Sequence, residues 1–206
     1  MRIYHAPGSR SVRVIWLFEE LGLPYELVQF KLGSPDMRAP EFLKVSPMGR
    51  VPVLLDGEQT IFESGAIVQY VLAKYGDGAL VPDMSTPEFA TYLQWFHYAE
   101  GMLMPPVNTI VVETVFLSEE RRNQVNVDRA TKLLNRMLGA VEMHMEGREY
   151  LAGEFTAADI MTGHACSVAA RLGADVSALP NVAAYIARIE ERPALQAARK
   201  HSLPTD

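Results

Sequence analysis

Residues 46–67 constrain the fold more than any other stretch, reading Ser-Pro-Met-Gly-Arg-Val-Pro-Val-Leu-Leu-Asp-Gly-Glu-Gln-Thr-Ile-Phe-Glu-Ser-Gly-Ala-Ile. Residues 51–55 and 59–62 are short apolar, β-branched runs on either side of Asp56-Gly57, a dipeptide that tolerates the positive φ of a tight hairpin turn. An antiparallel pair is therefore expected here. Pro52 has no N–H to give a sheet ladder, which places it at a strand start or an edge, where a cis Val51-Pro52 bond would expose the backbone of Val51. Glu63-Ser64-Gly65 is followed by Ile67, Val68, Tyr70, Val71 and Tyr75 at helical spacing, so Ser64 sits at or beside a helix N-terminus. The N–H groups and dipole there attract a carboxylate. Taken singly, Asp-Gly marks a turn and Ser a cap; taken together, these elements suggest a site for a small anionic peptide.

The rest of the chain divides by period. Residues 1–77 alternate strand and helix: a strand at 2–5, a helix from about 10 to 21, a strand at 25–30, a short helix near 41–44, then the hairpin and a last helix, in the order βαβαββα. The first helix puts Val14, Leu17, Phe18 and Leu21 on one face and stops at Gly22 and Pro24. Residues 78–86 read as a linker carrying Pro82-Asp83. From 87 to 206 everything reads as helix, opening with Thr86-Pro87-Glu88, a cap followed by proline at the first helical position. One helix is expected over 88–104, broken by Pro105-Pro106, and another over 127–145 with Leu134, Leu138, Val141 and Met145 in phase. Thr156 and Asp159 have capping-box spacing, a folding signal flanked by Phe155 and Ile160 as a hydrophobic staple. The expected fold class is thus α/β followed by all-α.

At 206 residues with 49% hydrophobic composition, the chain can fill two small cores without crosslinks. A net charge of −6 from interspersed charges, with no long basic run, argues against nucleic acid and anionic membranes as partners. No window approaches the ~20 apolar residues of a membrane span, and the start of the sequence enters a strand without a signal-like apolar core. The lone cysteine, Cys166, lies in an apolar helical run; it excludes an internal disulfide and reads as a buried residue in a protein of the reducing cytoplasm. The five histidines lack metal-ligand spacing, so no metal is expected.

The Val-Pro pair opening one strand and the acid-Ser pair opening the next helix, with Pro52 and Glu63 eleven positions apart, resemble the glutathione transferase family and in particular its bacterial theta- or beta-like cytosolic type. The Gly153 to Ile160 segment is similar to the capped, buried helix of that family's C-terminal domain, and Arg192-Pro193-Ala194 to its last helices. The resemblance implies a thioredoxin-like N-terminal domain over 1–77 that binds glutathione, a helical-bundle domain over 87–206 and a homodimer. It implies that glutathione, as co-substrate, presents its thiolate to a small hydrophobic electrophile held against the helical half. Glu63 and Ser64 match the family's site for the γ-glutamyl end. Val51-Pro52 would exchange backbone hydrogen bonds with the cysteinyl unit, and Arg10 or Arg50 would meet the glycyl carboxylate.

A free thiol of pKa about 8.5 is only a few per cent ionised at neutral pH, so such chemistry needs a donor beside sulfur. Three hydroxyls compete for that role between the first strand and first helix. Ser9, four residues before Arg13, matches the Ser-x-x-x-Arg start of theta-like members and stands where the turn meets the helix. Ser11 lies one step further in, and Tyr4 aligns with the catalytic tyrosine of the alpha, mu and pi classes. Pro7-Gly8 resembles the beta class, although Arg10 stands where that class has cysteine, and the Ser-Ser-Cys run of the zeta class is missing. Arg10 and Arg13 oppose the dipole of the first turn, which a nearby anion would compensate; otherwise they are solvated or pair with Glu19 and Glu20. For the electrophile pocket, Tyr98 and Met102 stand out on a stripe with Trp95 and Met104, and His97 and Glu100 share the helix. Two other functions compete: glutathione-dependent reduction of a peroxide or disulfide, and a non-catalytic glutathione-binding interaction module of the same fold.

Overall fold

The computed structural model describes residues 1–201. Its contacts separate two compact units, one made of residues 1–80 with 190–201, the other of residues 81–189.

In the first unit, β1 (Arg2–His5), β2 (Glu26–Gln29), β3 (Val53–Asp56) and β4 (Gln59–Phe62) form one mixed sheet in the order β2-β1-β3-β4. β1 and β2 run parallel, joined through α1 (Ser11–Leu21), while β3 is antiparallel to both β1 and β4. Between β2 and β3 lie a 3₁₀ turn (Pro35–Arg38) and α2 (Pro40–Leu43); α3 (Ser64–Tyr75) follows β4. The expected βαβαββα order is thus present, a thioredoxin-like arrangement. Asp56 pairs with Gln59, so the hairpin turns at Gly57-Glu58, one residue later than the sequence suggested, with φ +59° at Gly57. A glycine in the first central position satisfies such a turn as well as Asp-Gly would.

Strand alternation decides what each side of the sheet touches. Ile3 and His5 are fully buried, and His5 meets α1; Tyr4 faces the other way, its ring against Phe30 and Phe42 at 6.2 and 5.6 Å. α3 and α9 (Pro193–Lys200) both pack on α1, and Arg192 bridges Glu20 at 2.7 Å. The helical domain expected over 87–206 stops short of this: α9 buries Leu195 and Ala198 within the first unit. Residues 202–206 of that assignment lie outside the described residues.

The second unit is all-helical. α4 (Pro87–Tyr98) passes through a wide π turn (Ala99–Leu103) into α5 (Met104–Val111), and a second π turn (Val112–Phe116) ends this arm. The break expected at Pro105-Pro106 does not occur. The π turn sends the Met104 N–H to the Ala99 carbonyl, and the two prolines then occupy the opening turn of α5, where their missing N–H groups cost least. α6 (Gln124–His144) buries Leu134, Leu138 and Val141 as its spacing predicted, with Met145 just beyond. α7 (His164–Arg171) and α8 (Pro180–Glu190) complete the unit. Ahead of α7, buried Asp159 accepts from the Thr156 N–H at 2.8 Å, the Leu151 N–H at 3.1 Å and the Tyr185 hydroxyl at 2.8 Å, so the capping box organises three segments.

Candidate functional site

The start of α3 is built as the sequence suggested. Ser64 is its first residue and Glu63 its cap; the Val51-Pro52 peptide bond is cis. Glu63 is exposed and has φ +74°, a region where a side chain costs about 1–3 kcal/mol and where glycine would normally stand. Buried Ser46 shapes the approach to Val51 by donating to the Arg50 carbonyl at 2.7 Å and accepting from the Arg50 N–H at 2.9 Å. The Arg50 side chain itself is exposed.

Arg13 is fully buried, and its Nη1 donates to Ser64 Oγ at 3.2 Å. A guanidinium can only donate, so Ser64 accepts here and its own hydroxyl proton is left for another acceptor. The α3 N-terminus therefore carries a buried cation, a hydroxyl proton and the N–H groups of its first turn, all suited to an anion. Glu63 stands beside them for a cation. Glu19 and Glu20, weighed as partners for the arginines, are engaged by Tyr25 at 2.6 Å and by Trp16 and Arg192 at 2.8 and 2.7 Å.

The three candidate hydroxyls fall in different surroundings. Tyr4 belongs to an aromatic cluster with Phe30, Phe42, Val53 and Met37. Ser11 is fully buried as the first residue of α1. Ser9 is half-buried in the preceding turn, its Oγ 2.6 Å from Ser11 Oγ, which lies 2.7 Å from His5 Nδ1. Arg10 caps α1, half-buried. The α1 residue that reaches Ser64, Arg13, stands one turn after Ser9, so α1 and the turn leading into it carry a side chain to each end of the candidate site.

A family model for the glutathione S-transferase N-terminal domain matches residues 1–73, and one for the C-terminal domain matches residues 103–193. The chain belongs to the glutathione S-transferase family. Among curated proteins it is 38% identical over 193 residues to glutathione S-transferase 4 of Zea mays, covering 88% of this chain and 83% of that one. It is 32% identical over 206 residues to the disulfide-bond oxidoreductase YfcG of Escherichia coli, covering 93% and 91%. A solved glutathione transferase from Pseudomonas putida, with one glutathione disulfide bound per subunit, superposes with a TM-score of 0.87 at 28% identity, over 97% of this chain and 90% of that one.

In this glutathione transferase family member the predicted electrophile residues do not converge on one cavity. The Tyr98 hydroxyl donates to the Met137 carbonyl at 2.9 Å and its ring packs 4.7 Å from Trp95, whereas Met102 and His97 are exposed. An open cleft of about 630 Å³ between α5 and α6 is lined by Pro105, Thr109, Arg129, Lys132 and Arg136 among others, and includes neither Tyr98 nor Met102. Cys166 is fully buried and burial pushes its thiol up to about 12, which suits packing and not nucleophilic attack. Among the described residues no group of three or more His, Cys, Asp or Glu side chains is placed to hold a metal, and no helix is long and apolar enough to cross a membrane. Sequence reasoning missed His5. The signal available was alternation along β1, which puts His5 on the helix-facing side with Ile3.

Proposed function

We propose that this chain is a glutathione-conjugating transferase of the bacterial theta- or beta-like cytosolic type, transferring the glutathione thiolate to small hydrophobic electrophiles as a homodimer in the cytoplasm. The observation that carries the reading is the buried Arg13–Ser64 contact, which joins α1, the helix that directly follows Ser9, to the anion-binding start of α3. The γ-glutamyl carboxylate sits at Ser64 and its ammonium at Glu63; the cysteinyl unit pairs with the backbone of Val51 ahead of β3; the glycyl carboxylate meets Arg10 or Arg50; Ser9 donates to the sulfur. Tyr98 and Met102 remain the residues assigned to the electrophile side. Val112, Val115 and Phe116 are exposed and apolar on one arm of the helical unit, which supports burial against a second copy. Sedimentation at micromolar concentration should give twice the chain mass.

Replacing Glu63 and Ser64 together with alanine should weaken glutathione binding by at least about 2 kcal/mol, the loss of charge-assisted hydrogen bonds at both ends of the amino acid moiety. Calorimetry with unchanged affinity would overturn the assignment. The E. coli relative named as a disulfide-bond oxidoreductase supports a second reading, in which glutathione reduces a disulfide or peroxide. Turnover that consumes glutathione and yields its disulfide without a thioether product would select that reading.

A further inference from the structure

We infer that His5 is the proton acceptor for the substrate thiol, reached from Ser9 through Ser11 along a continuous chain of hydrogen bonds. This rests on the reading above that glutathione places its sulfur beside Ser9.

The direction of each hydrogen bond follows from its far end. His5 Nε2 lies 3.1 Å from the carbonyl of His201, which also accepts from Gln29 Nε2 at 2.6 Å. A carbonyl cannot donate, so Nε2 carries a proton. Burial of His5 favours the uncharged ring and lowers its proton affinity below the ordinary histidine value. Nδ1 is then a bare lone pair, and the Ser11 hydroxyl 2.7 Å away donates to it in preference to the Ala6 carbonyl at the longer 3.4 Å. Having spent its only proton, Ser11 Oγ accepts from Ser9 Oγ–H at 2.6 Å and from the Ala6 N–H at 3.3 Å. Ser9 in turn accepts from the Ser11 N–H at 3.3 Å, which leaves one of its lone pairs uncommitted.

In this resting arrangement Ser9 offers a lone pair, not a proton, to whatever lies beside it. It can accept from a thiol S–H, but it would repel a thiolate. Ionisation reverses the chain: the thiol proton passes to Ser9 Oγ, the Ser9 proton to Ser11 Oγ and the Ser11 proton to His5 Nδ1. One S–H bond is broken and one Nδ1–H bond is formed, with no proton gained or lost overall. The products are a thiolate accepting from Ser9 O–H and an imidazolium donating through Nδ1 to Ser11 and through Nε2 to the His201 carbonyl. Charged and titratable groups near His5 are few: the His201 ring at the end of α9, which opposes charge on His5, with Tyr25 Oη 3.2 Å from His201 Nε2 and Glu19 behind Tyr25 at 2.6 Å; α1 presents Ser11, and β2 presents the uncharged Gln29. A thiolate at the other end of the chain supplies the negative charge that the resting pocket lacks.

The test measures where the proton goes. The full chain, labelled with ¹⁵N-histidine and with the His5 signals assigned through His5→Asn, is titrated at neutral pH with glutathione and with S-methylglutathione, whose sulfur has no proton to give. Thiolate absorbance and calorimetry in buffers of differing ionisation heat are recorded in parallel. The expected result is a thiolate band with almost no proton released to buffer, His5 protonated on both nitrogens in the glutathione complex, and His5 neutral with S-methylglutathione. In Ser11→Ala, glutathione should still bind while the thiolate band recedes toward the pH range of the free thiol and His5 stays neutral. A thiolate band accompanied by release of about one proton and a neutral His5, or binding heat with no thiolate band, overturns the relay alone. Absence of binding heat for both peptides overturns the glutathione reading and the relay with it. The wild-type measurements stand whether or not either variant folds.

Discussion

At the scale of single residues, Glu63 and Arg13, both at the candidate site, sit against their intrinsic preferences, Glu63 by its positive φ and Arg13 as a buried charge. Glu63 holds φ +74°, a conformation that costs a side chain more than it costs glycine. Glu63→Gly should therefore raise the urea midpoint, a gain of about 1 kcal/mol, while weakening glutathione binding measured by calorimetry. A variant that gains no stability would show that the surrounding loop, and not Glu63, sets the conformation. Ser9→Ala should raise the bound thiol's pKa by about one unit, read from thiolate absorbance, and lower kcat/KM at neutral pH about tenfold, with part of the loss recovered at higher pH. Tyr4→Phe, in its aromatic cluster, should leave that pKa in place. The motifs at Glu63-Ser64 and Ser9 were legible because a helix start and a turn announce themselves locally. His5 and Arg13 were not. A charged side chain is ordinarily exposed, and Arg13 finds its hydroxyl partner 51 positions away, a pairing that only the packing of α1 against α3 creates.

At the scale of elements, the hairpin is tied to α3 by one carboxylate. Asp56 accepts from Lys74 at 2.7 Å, Tyr75 at 2.5 Å and Tyr70 at 2.8 Å, and these donors, Lys74 foremost, hold its carboxyl down at about 2, from an ordinary 3.8. A depressed folded-state value means stability that is complete above the unfolded pKa and is lost as pH falls through the folded one. The urea midpoint should thus decline as pH is lowered from about 4 to 2, and Asp56→Asn should flatten that part of the curve. Lys74 is half exposed, so added salt should shrink the effect. In the helical unit the π turns were invisible in sequence, because each is a single five-residue turn, too short to establish an apolar period of its own. One glycine shows what such a turn permits: a Cβ on Gly163, within the π turn Asp159–Gly163, would come within 2.8 Å of Ile189 and 3.0 Å of the Tyr185 hydroxyl that Asp159 holds. Gly163→Ala should cost about 1–3 kcal/mol by overpacking, and Asp159→Ala about 3 kcal/mol or more by stranding buried donors, both read from denaturant melts.

At the scale of the whole chain, the order of elements was legible from 1 to 77, and the helical character from 87 onward, because period and punctuation are local. Where the last helix packs was not. α9 is short, and its apolar face could cover any helix; the choice of α1 is made by Leu195 and Ala198 burying there and by Arg192 reaching Glu20, contacts more than 170 positions apart in sequence. The first unit is consequently discontinuous, closed only once the end of the chain has returned to it. A fragment ending at residue 86 should therefore fail to show a cooperative thermal transition by circular dichroism, since α1 loses the cover of α9 along with the ion pair at Glu20. Adding a peptide spanning residues 190–201 should restore part of the helical signal. Within the intact chain, Leu195→Ala should cost about 2–5 kcal/mol, the range for truncating a fully packed leucine, and should lower stability without altering the substrate-bound thiol's pKa. A fragment 1–86 that melts cooperatively by itself would show that α9 only decorates a unit already complete.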